Sequence, residues 1–448
     1  MREKVKFRGP VIYKILFAYI SVLHRLYYRR LTVIGYEKIP AKTPVIFAPN
    51  HQNALMDALA VLFTTHRHAV FMARADIFKN PFIAKILNTF RILPIYRIRD
   101  GYGELGRNQE VFDTTVNVLK SDIPICILPE GNHEGVKRLR PLKKGIFRIA
   151  FQAEESMNFN LNLHIVPVGI DYSDYFNAGS DLMVVFGTPI KIADYADQYR
   201  ENEQKTINTL ISILAENMQS VMIHIPEENY QLTYQISEMY EPNVWNTLNV
   251  NRHPFNKLTV RQYIIQKVTD AFTQFPEKAI EIREALGKYT EKLNESGLAD
   301  CSLVQKQPRF VPLFLETILS ILFLPLHVYG MILNYLPYKI PVWLAAKTKD
   351  PHFKSSIQFG ISLFLLPLYY IIMITAFCLL SDDYLLKIVF GITLPVTGFF
   401  AFYNYKHMKK LWGKLQLFSL RLIKTDQYNA LRNERNQVID LIKSTINS

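Results

Sequence analysis

The sequence predicts an α/β fold: a mixed, largely parallel sheet flanked by helices, followed by a helical extension and C-terminal transmembrane helices. Three observations predict it. Between about Leu31 and Ile190, short apolar runs alternate with helix-length segments, the pattern of strands joined by crossover helices. From Ile190 to about Cys301 the text is polar with amphipathic stretches such as Thr206–Met222. Beyond Phe310 the composition turns abruptly apolar, in runs near the ~20 residues needed to cross the hydrocarbon core.

Taken in order, Met1–Tyr28 is basic and then apolar. Lys14 interrupts the apolar run and no small-residue cleavage site follows before His24-Arg25, so an uncleaved interfacial helix is expected over 1–30. Its Ile15, Leu16, Phe17 and Ile20 would face acyl chains. In the α/β domain, 31–190, Val45–Ala48, Ala69–Ala73, Ile92–Arg97, Ile123–Leu128, Leu163–Gly169 and Leu182–Phe186 read as strands. Leu55–Phe63, Pro81–Phe90, Asn108–Leu119 and Gly145–Glu155 read as helices, the second opened by Asn80 and Pro81. The helical extension, 191–305, carries no identifiable chemistry.

Phe310–Leu336, Ile357–Leu380 and Leu385–Tyr405 form the membrane-embedded region, 306–410, ahead of a cytoplasmic helical tail, 411–448. Ser381–Tyr384 is short enough only for a hairpin turn and is acidic. Lys339, Lys347, Lys349 and Lys354 precede this hairpin and Lys406, Lys409 and Lys410 follow it, so both of its ends are expected on the cytoplasmic side. Phe310–Leu336 contains Glu316, Pro325 and His327, which favours a bent re-entrant segment over a simple span.

Composition narrows the partners. With 52 Lys+Arg against 39 Asp+Glu the net charge is +13, which favours anionic partners such as phospholipid head groups and phosphate esters. Mean hydropathy of +0.04 is high for a chain with 20% charged residues, consistent with lipid-facing segments. The basic residues lie beside apolar segments with no aromatic-interleaved motif, so nucleic acid is not an expected partner. Three cysteines, Cys126, Cys301 and Cys378, offer no disulfide framework and no CxxC pair.

Four short clusters sit where expected strands run out, and the carboxyl ends of strands in such sheets form the ligand crevice. The first is Ala48-Pro49-Asn50-His51-Gln52-Asn53-Ala54-Leu55-Met56-Asp57. Acylating an alcohol requires removal of its proton, a task suited to neutral imidazole near pH 7, and Asp57 could hold the other ring nitrogen of His51. An offset of six turns the two residues roughly 240° apart on a straight helix, so the chain must bend between them. The second cluster, Ile92 to Asp100, ends in Arg97 and Arg99, guanidinium forks suited to phosphate. The third, Leu128-Pro129-Glu130-Gly131-Asn132-His133-Glu134-Gly135, combines a Glu-Gly turn with a basic run through Lys137, Arg138, Arg140, Lys143 and Lys144. The fourth is the apolar Ile165-Val166-Pro167-Val168-Gly169.

In order and spacing the four resemble the glycerol-3-phosphate and 1-acylglycerol-3-phosphate (lysophosphatidate) acyltransferase family, with its Asn-His…Asp, Pro-x-x-Arg, Pro-Glu-Gly and Val-Pro motifs. Supporting text includes Phe71-Met72-Ala73-Arg74, Leu142-Lys143-Lys144-Gly145 and Phe186-Gly187-Thr188-Pro189-Ile190. The resemblance covers about Leu31–Ile190 and extends loosely to His224-Ile225-Pro226. It implies His51 as general base, Asp57 as its partner, Arg97 as a ligand of the acceptor phosphate, Glu130 and Gly131 as acceptor-positioning residues and Val166 and Pro167 as part of the acyl pocket. Asn50, Arg99 and Lys143 join the substrate-binding set. Two features depart from the common pattern. Five residues rather than four separate His51 from Asp57, and Asn132-His133-Glu134 replaces the usual Thr-Arg-Ser. Both are similar to the fungal-type glycerol-3-phosphate/dihydroxyacetone-phosphate acyltransferases and leave Lys137, Arg138 and Lys143 as substitute phosphate ligands.

The resemblance implies direct transfer from acyl-CoA or acyl carrier protein to a glycerol phosphate, with membrane phospholipids as partners, no metal and no bound cofactor. Lysophosphatidate is the alternative acceptor, and a non-catalytic lipid-binding scaffold the alternative class. A serine lipid hydrolase, a Walker-type ATPase and a zinc protease are disfavoured, because Gly-x-Ser-x-Gly, Gly-x-x-x-x-Gly-Lys and His-Glu-x-x-His do not occur.

Overall fold

The structure is a computed structural model that describes residues 10–65, 67–95, 107–247, 253–304 and 309–447. Two compact units divide the chain: the first comprises 1–224 and 345–359, the second 225–344 and 360–448.

The first unit opens with helix α1 (Pro10–Tyr27), then alternates strands and helices: β1 (Arg30–Ile34), β2 (Val45–Pro49), α2 (Ala54–Thr64), β3 (Val70–Arg74), α3 (Pro81–Thr89), β4 (Ile92–Ile95), α4 (Arg107–Lys120), β5 (Ile125–Cys126), α5 (Gly145–Glu155), β6 (His164–Tyr172), β7 (Asp181–Phe186), β8 (Ile190–Lys191), α6 (Ala196–Glu201) and α7 (Glu203–Ser220). The sheet runs β1-β7-β6-β2-β5-β3-β4, with β8 beside β6. Five of its pairings are parallel; β6 with β7 and β6 with β8 are antiparallel. The fold is therefore the mixed, largely parallel α/β sheet with flanking helices.

Side chains alternate across β2 as a pleated strand requires. Ile46 and Ala48 join Val70, Ile125 and Ile165 in one core that α4, α5 and α7 cover. Val45 and Phe47 are also fully buried, and α2 packs against β2 and β7. Helix α1 rests on α2: Phe17 and His24 each lie 5.1 Å, ring to ring, from Phe63. Phe17 and Ile20, expected to face lipid, instead pack on the domain; Ile15 is 64% exposed and shares an outward apolar stripe with Val11, Val22 and Leu26. The helix is thus apolar on two sides, one for the protein and one left open.

Strand β6 runs through Gly169 to Tyr172, longer than the sequence suggests. Glycine there reflects a close backbone crossing: a Cβ would sit 1.9 Å from the Val221 carbonyl oxygen. Strand β5 is shorter than expected, paired only at Ile125 and Cys126, because Pro124 has no N–H to extend the ladder. Strand β2 lies parallel to both β5 and β6, which brings their carboxyl ends to one edge of the sheet.

The second unit is helical: α8 (Tyr230–Thr247), α9 (Pro254–Gln274), α10 (Pro276–Glu295), α11 (Asp300–Val304), α12 (Phe310–Leu322), α13 (Leu324–Ala346), α14 (Lys354–Leu380), α15 (Tyr384–Ile423) and α16 (Thr425–Asn447), the last residues of α13 and the first of α14 belonging to the first unit. A soluble-type core gathers Ile236, Ile264, Ile282, Leu286, Leu431 and Ile442. Two helical stretches, Pro351–Leu380 and Tyr384–Ile423, are long and apolar enough to cross a membrane. The pair α12 and α13 passes the same test together but is bent by 49° at Phe323, the form of a broken span or a re-entrant loop. Helices α13 and α15 approach closely at Gly330, where a Cβ would lie 2.2 Å from the Thr397 carbonyl oxygen, and Asn334 donates to the Leu394 carbonyl at 3.0 Å.

Candidate active site

The site forms at the carboxyl ends of β2, β5 and β6. Between β2 and α2 the chain turns sharply, with Ala54 in the left-handed region at φ 43°, and this bend resolves the unfavourable six-residue offset. His51 Nδ1 and Asp57 Oδ2 meet at 2.9 Å.

Asp57 is fully buried and its carboxylate is saturated with donors. Oδ2 also accepts from the amides of Gln52 at 2.8 Å and Asn53 at 2.7 Å, and Oδ1 accepts from the Tyr172 hydroxyl at 2.9 Å. A buried carboxylate without such partners would carry a heavy desolvation cost; four donors offset it and fix the side chain. Because Asp57 accepts, Nδ1 of His51 carries the hydrogen and Nε2 presents its lone pair. The imidazole is 15% exposed, and among the described residues no protein group hydrogen-bonds Nε2. The arrangement leaves Nε2 able to accept a hydrogen bond or a proton.

Glu130 holds the same histidine by its backbone. Its Oε1 accepts the His51 amide at 2.7 Å, and its Oε2 accepts from Arg140 Nε at 2.9 Å. Burial pushes the Glu130 carboxyl up, and the His51 amide and Arg140 counter that. The His51 carbonyl accepts from the Glu134 amide at 3.3 Å, so the third cluster grips both sides of His51. Gly131 turns at φ 73°, a conformation suited to glycine, with the Lys143 stem just above it. Lys143 is exposed beside this turn.

Asn50, counted with the substrate-binding residues, has another task. Buried completely, it donates to the Ile170 carbonyl at 3.0 Å and accepts from the Ile170 amide at 2.7 Å, extending the β2–β6 ladder with its side chain. Val166 and Pro167 lie within β6 beside Phe47 and Ala48 and are buried in the sheet. Lys137, offered as a phosphate ligand, is buried against Asp171 and donates to the Tyr172 carbonyl at 3.2 Å, which ties it to β6. Arg97 and Arg99 lie outside the described residues. Among the described residues no three His, Cys, Asp or Glu side chains converge as metal ligands.

Several site residues escaped the sequence reading. Tyr172 lies beyond the expected end of its strand. More distant are Asp350, His352, Ser355 and Ser356, which belong to the first unit although they fall between two apolar helices in sequence. Asp350 meets His133 Nε2 at 3.2 Å, and the His133 ring lies 5.2 Å from that of His51. The only hint in the text is a polar break, Lys347-Thr348-Lys349-Asp350-Pro351-His352, between hydrophobic runs.

A protein from Caenorhabditis elegans named "Putative 1-acyl-sn-glycerol-3-phosphate acyltransferase acl-2" is 27% identical over 150 residues, 33% of this chain and 48% of that one. The chain thus matches about half the length of that relative. The crystal structure of the 1-acyl-sn-glycerophosphate (LPA) acyltransferase PlsC from Thermotoga maritima aligns over 46% of this chain and 80% of its own, with 15% identity and a TM-score of 0.34. Residues 30–171 match the model of the Acyltransferase family, and they contain His51, Asp57 and Glu130.

Proposed function

We infer that the chain transfers a fatty acyl group from a thioester to a hydroxyl of glycerol-3-phosphate or a related glycerol phosphate, with His51 as general base. The observation that carries the reading is the His51–Asp57 pair, with Nδ1 bound to a saturated carboxylate and Nε2 left for substrate. The acceptor oxygen attacks the thioester carbonyl carbon while Nε2 takes its proton. A C–O bond forms, the C–S bond breaks, and the imidazolium returns the proton to the departing thiolate. Asp57 stabilises that imidazolium. The thioester is an activated donor, either acyl-CoA or acyl carrier protein, so positioning supplies much of the acceleration without a cofactor. Arg97, Arg99 and Lys143 are the proposed ligands of the acceptor phosphate.

The five-residue spacing and His133 favour glycerol-3-phosphate or dihydroxyacetone phosphate, as in the fungal-type enzymes. A second reading, lysophosphatidate, is favoured by the name of the nematode relative. The two long apolar helices, with lysines at both ends of their hairpin, support an integral protein whose site faces the cytoplasmic leaflet.

The test is acyl transfer on membranes holding the full chain, with the three acceptors in competition and both donor types. His51→Ala is expected to cost about 10²- to 10⁴-fold in turnover at unchanged membrane association. Full turnover in that variant would defeat the base assignment, and silence of all three acceptors with both donors would defeat the substrate class. A lipid-binding scaffold would be indifferent to the substitution.

A further inference from the structure

The stretch 350–356 reaches both loops that build the site. On the His51 loop, Ser355 Oγ donates to Asn53 Oδ1 at 2.5 Å, and Ser356 Oγ accepts the Leu55 amide at 3.2 Å, satisfying one of the orphan donors at the start of α2. On the Glu130 loop, His352 Nδ1 accepts the Gly135 amide at 3.1 Å, and Asp350 Oδ2 meets His133 Nε2 at 3.2 Å. A Cβ on Gly135 would lie 2.5 Å from His352 Nδ1, so glycine is what admits the ring. Asp350 is itself fixed: its Oδ1 accepts the His352 amide at 2.9 Å, which caps the short turn Pro351–Phe353.

The consequence falls on His133. Its side chain is 8% exposed, held edge-on between the His51 ring at 5.2 Å and the Phe353 ring at 4.6 Å. Two His–carboxylate pairs therefore stand side by side, Asp57 behind His51 and Asp350 behind His133.

We propose that Asp350 is a positioning residue of the site: through its hydrogen bond it fixes His133 in one orientation and tautomer against the flank of His51, where that imidazole sets the electrostatic surroundings in which His51 accepts its proton. The proposal rests on His51 acting as the base. An ionised Asp350 takes the hydrogen of Nε2 and leaves His133 neutral with Nδ1 as an acceptor. Two imidazoles at this distance resist carrying charge together, so a proton on His133 competes with the one His51 must collect. The ionisable groups facing His133 are His51 from the loop after β2 and Asp350 and His352 from the 350–356 strap. Burial holds His133 below the ordinary histidine range, His51 adds to this, and Asp350 opposes it. Removing the Asp350 charge therefore lowers the affinity of His133 for a proton.

The experiment is the pH profile of kcat/KM for acyl transfer by the full membrane-bound chain. Asp350→Asn removes the charge and keeps one carboxamide oxygen, enough for the His352 amide or for His133 but not for both. Its acid limb is expected to move down by about 0.5–1 pH unit. Asp350→Ala, which removes the acceptor as well, is expected to lower plateau kcat by about tenfold or more with little change in KM. In a His133→Gln background, Asp350→Asn should produce no further displacement, since the carboxylate acts through the ring. A merely structural Asp350 would change expression and thermal unfolding and leave the acid limb in place. An Asp350→Asn profile that overlays the wild type, in a preparation where His51→Ala is inactive, overturns this proposal and spares the function. An equal displacement in the His133→Gln background overturns it too. Full turnover by His51→Ala removes the base assignment, and this proposal with it.

Discussion

The Tyr172 hydroxyl donates to Asp57 Oδ1 at 2.9 Å, from the last residue of one strand to the first turn of a helix that begins just beyond its neighbour. Both groups are completely buried or nearly so. The contact anchors the free oxygen of the carboxylate whose other oxygen serves His51. Burial raises the Tyr172 phenol well above its ordinary range, with Asp57 adding to the effect, so it remains a donor at any pH where the protein works.

Tyr172→Phe should keep the ring and lose only this donor. Leaving one oxygen of a buried charge short of a partner costs about 1.5–3 kcal/mol. The expected result is a lower unfolding temperature together with a fall in kcat larger than any rise in KM, read from thermal unfolding and steady-state acyl transfer. A variant with wild-type kcat and stability would show that Asp57 is held adequately by the loop amides alone.

Glu130 ties the His51 amide to Arg140, and its side chain is 1% exposed. Glu130→Ala strands a guanidinium and an amide in a dry site, a loss of about 3–5 kcal/mol for a broken buried pair. Glu130→Gln retains an oxygen for the His51 amide and should retain more activity than the alanine variant. Equal loss in both would assign the importance to the Arg140 charge pair rather than to the backbone of His51.

His24 lies on the inner face of α1, fully buried, with neither ring nitrogen hydrogen-bonded among the described residues. Burial pulls its pKa down to about 3. An unfolded histidine titrates near ~6.5, so between the two values the unfolded chain binds the extra proton. Stability therefore rises with pH across this window and is lost as pH falls from ~6.5 toward 3. His24→Phe should flatten that slope while preserving the packing on Phe63, at 5.1 Å from the His24 ring. Unfolding in detergent at several pH values between 7 and 4.5 measures it; slopes that coincide for the two proteins would place the acid sensitivity elsewhere. His224 and His133, also held low by burial, leave a residual slope.

How much of this was legible follows from the range of the interactions. Strand β2, helices α2 and α5 and the apolar hairpin were readable because periodicity and composition are local properties. Strand β6 was cut short at Gly169, since a glycine within an apolar run reads as punctuation. Its cause is the passage of Val221, a contact invisible to local pattern. The same truncation hid Tyr172. Asn50 sat in a recognisable motif, yet its bonds go to Ile170, 120 residues away, so motif membership did not reveal the task. The strap was unreadable for the same reason: Ser355 and Asn53 are 302 residues apart.

The discontinuity of the first unit also bears on how the protein comes into being. Its last stretch, 345–359, is synthesised only after the whole of 225–344. At roughly 5–20 residues per second, the nascent α/β sheet waits on the order of ten seconds before Ser356 can reach the amide of Leu55. During that interval the start of α2 and the Gly135 turn lack their partners, so completion of these two loops is scheduled by the ribosome to follow emergence of the first apolar helices.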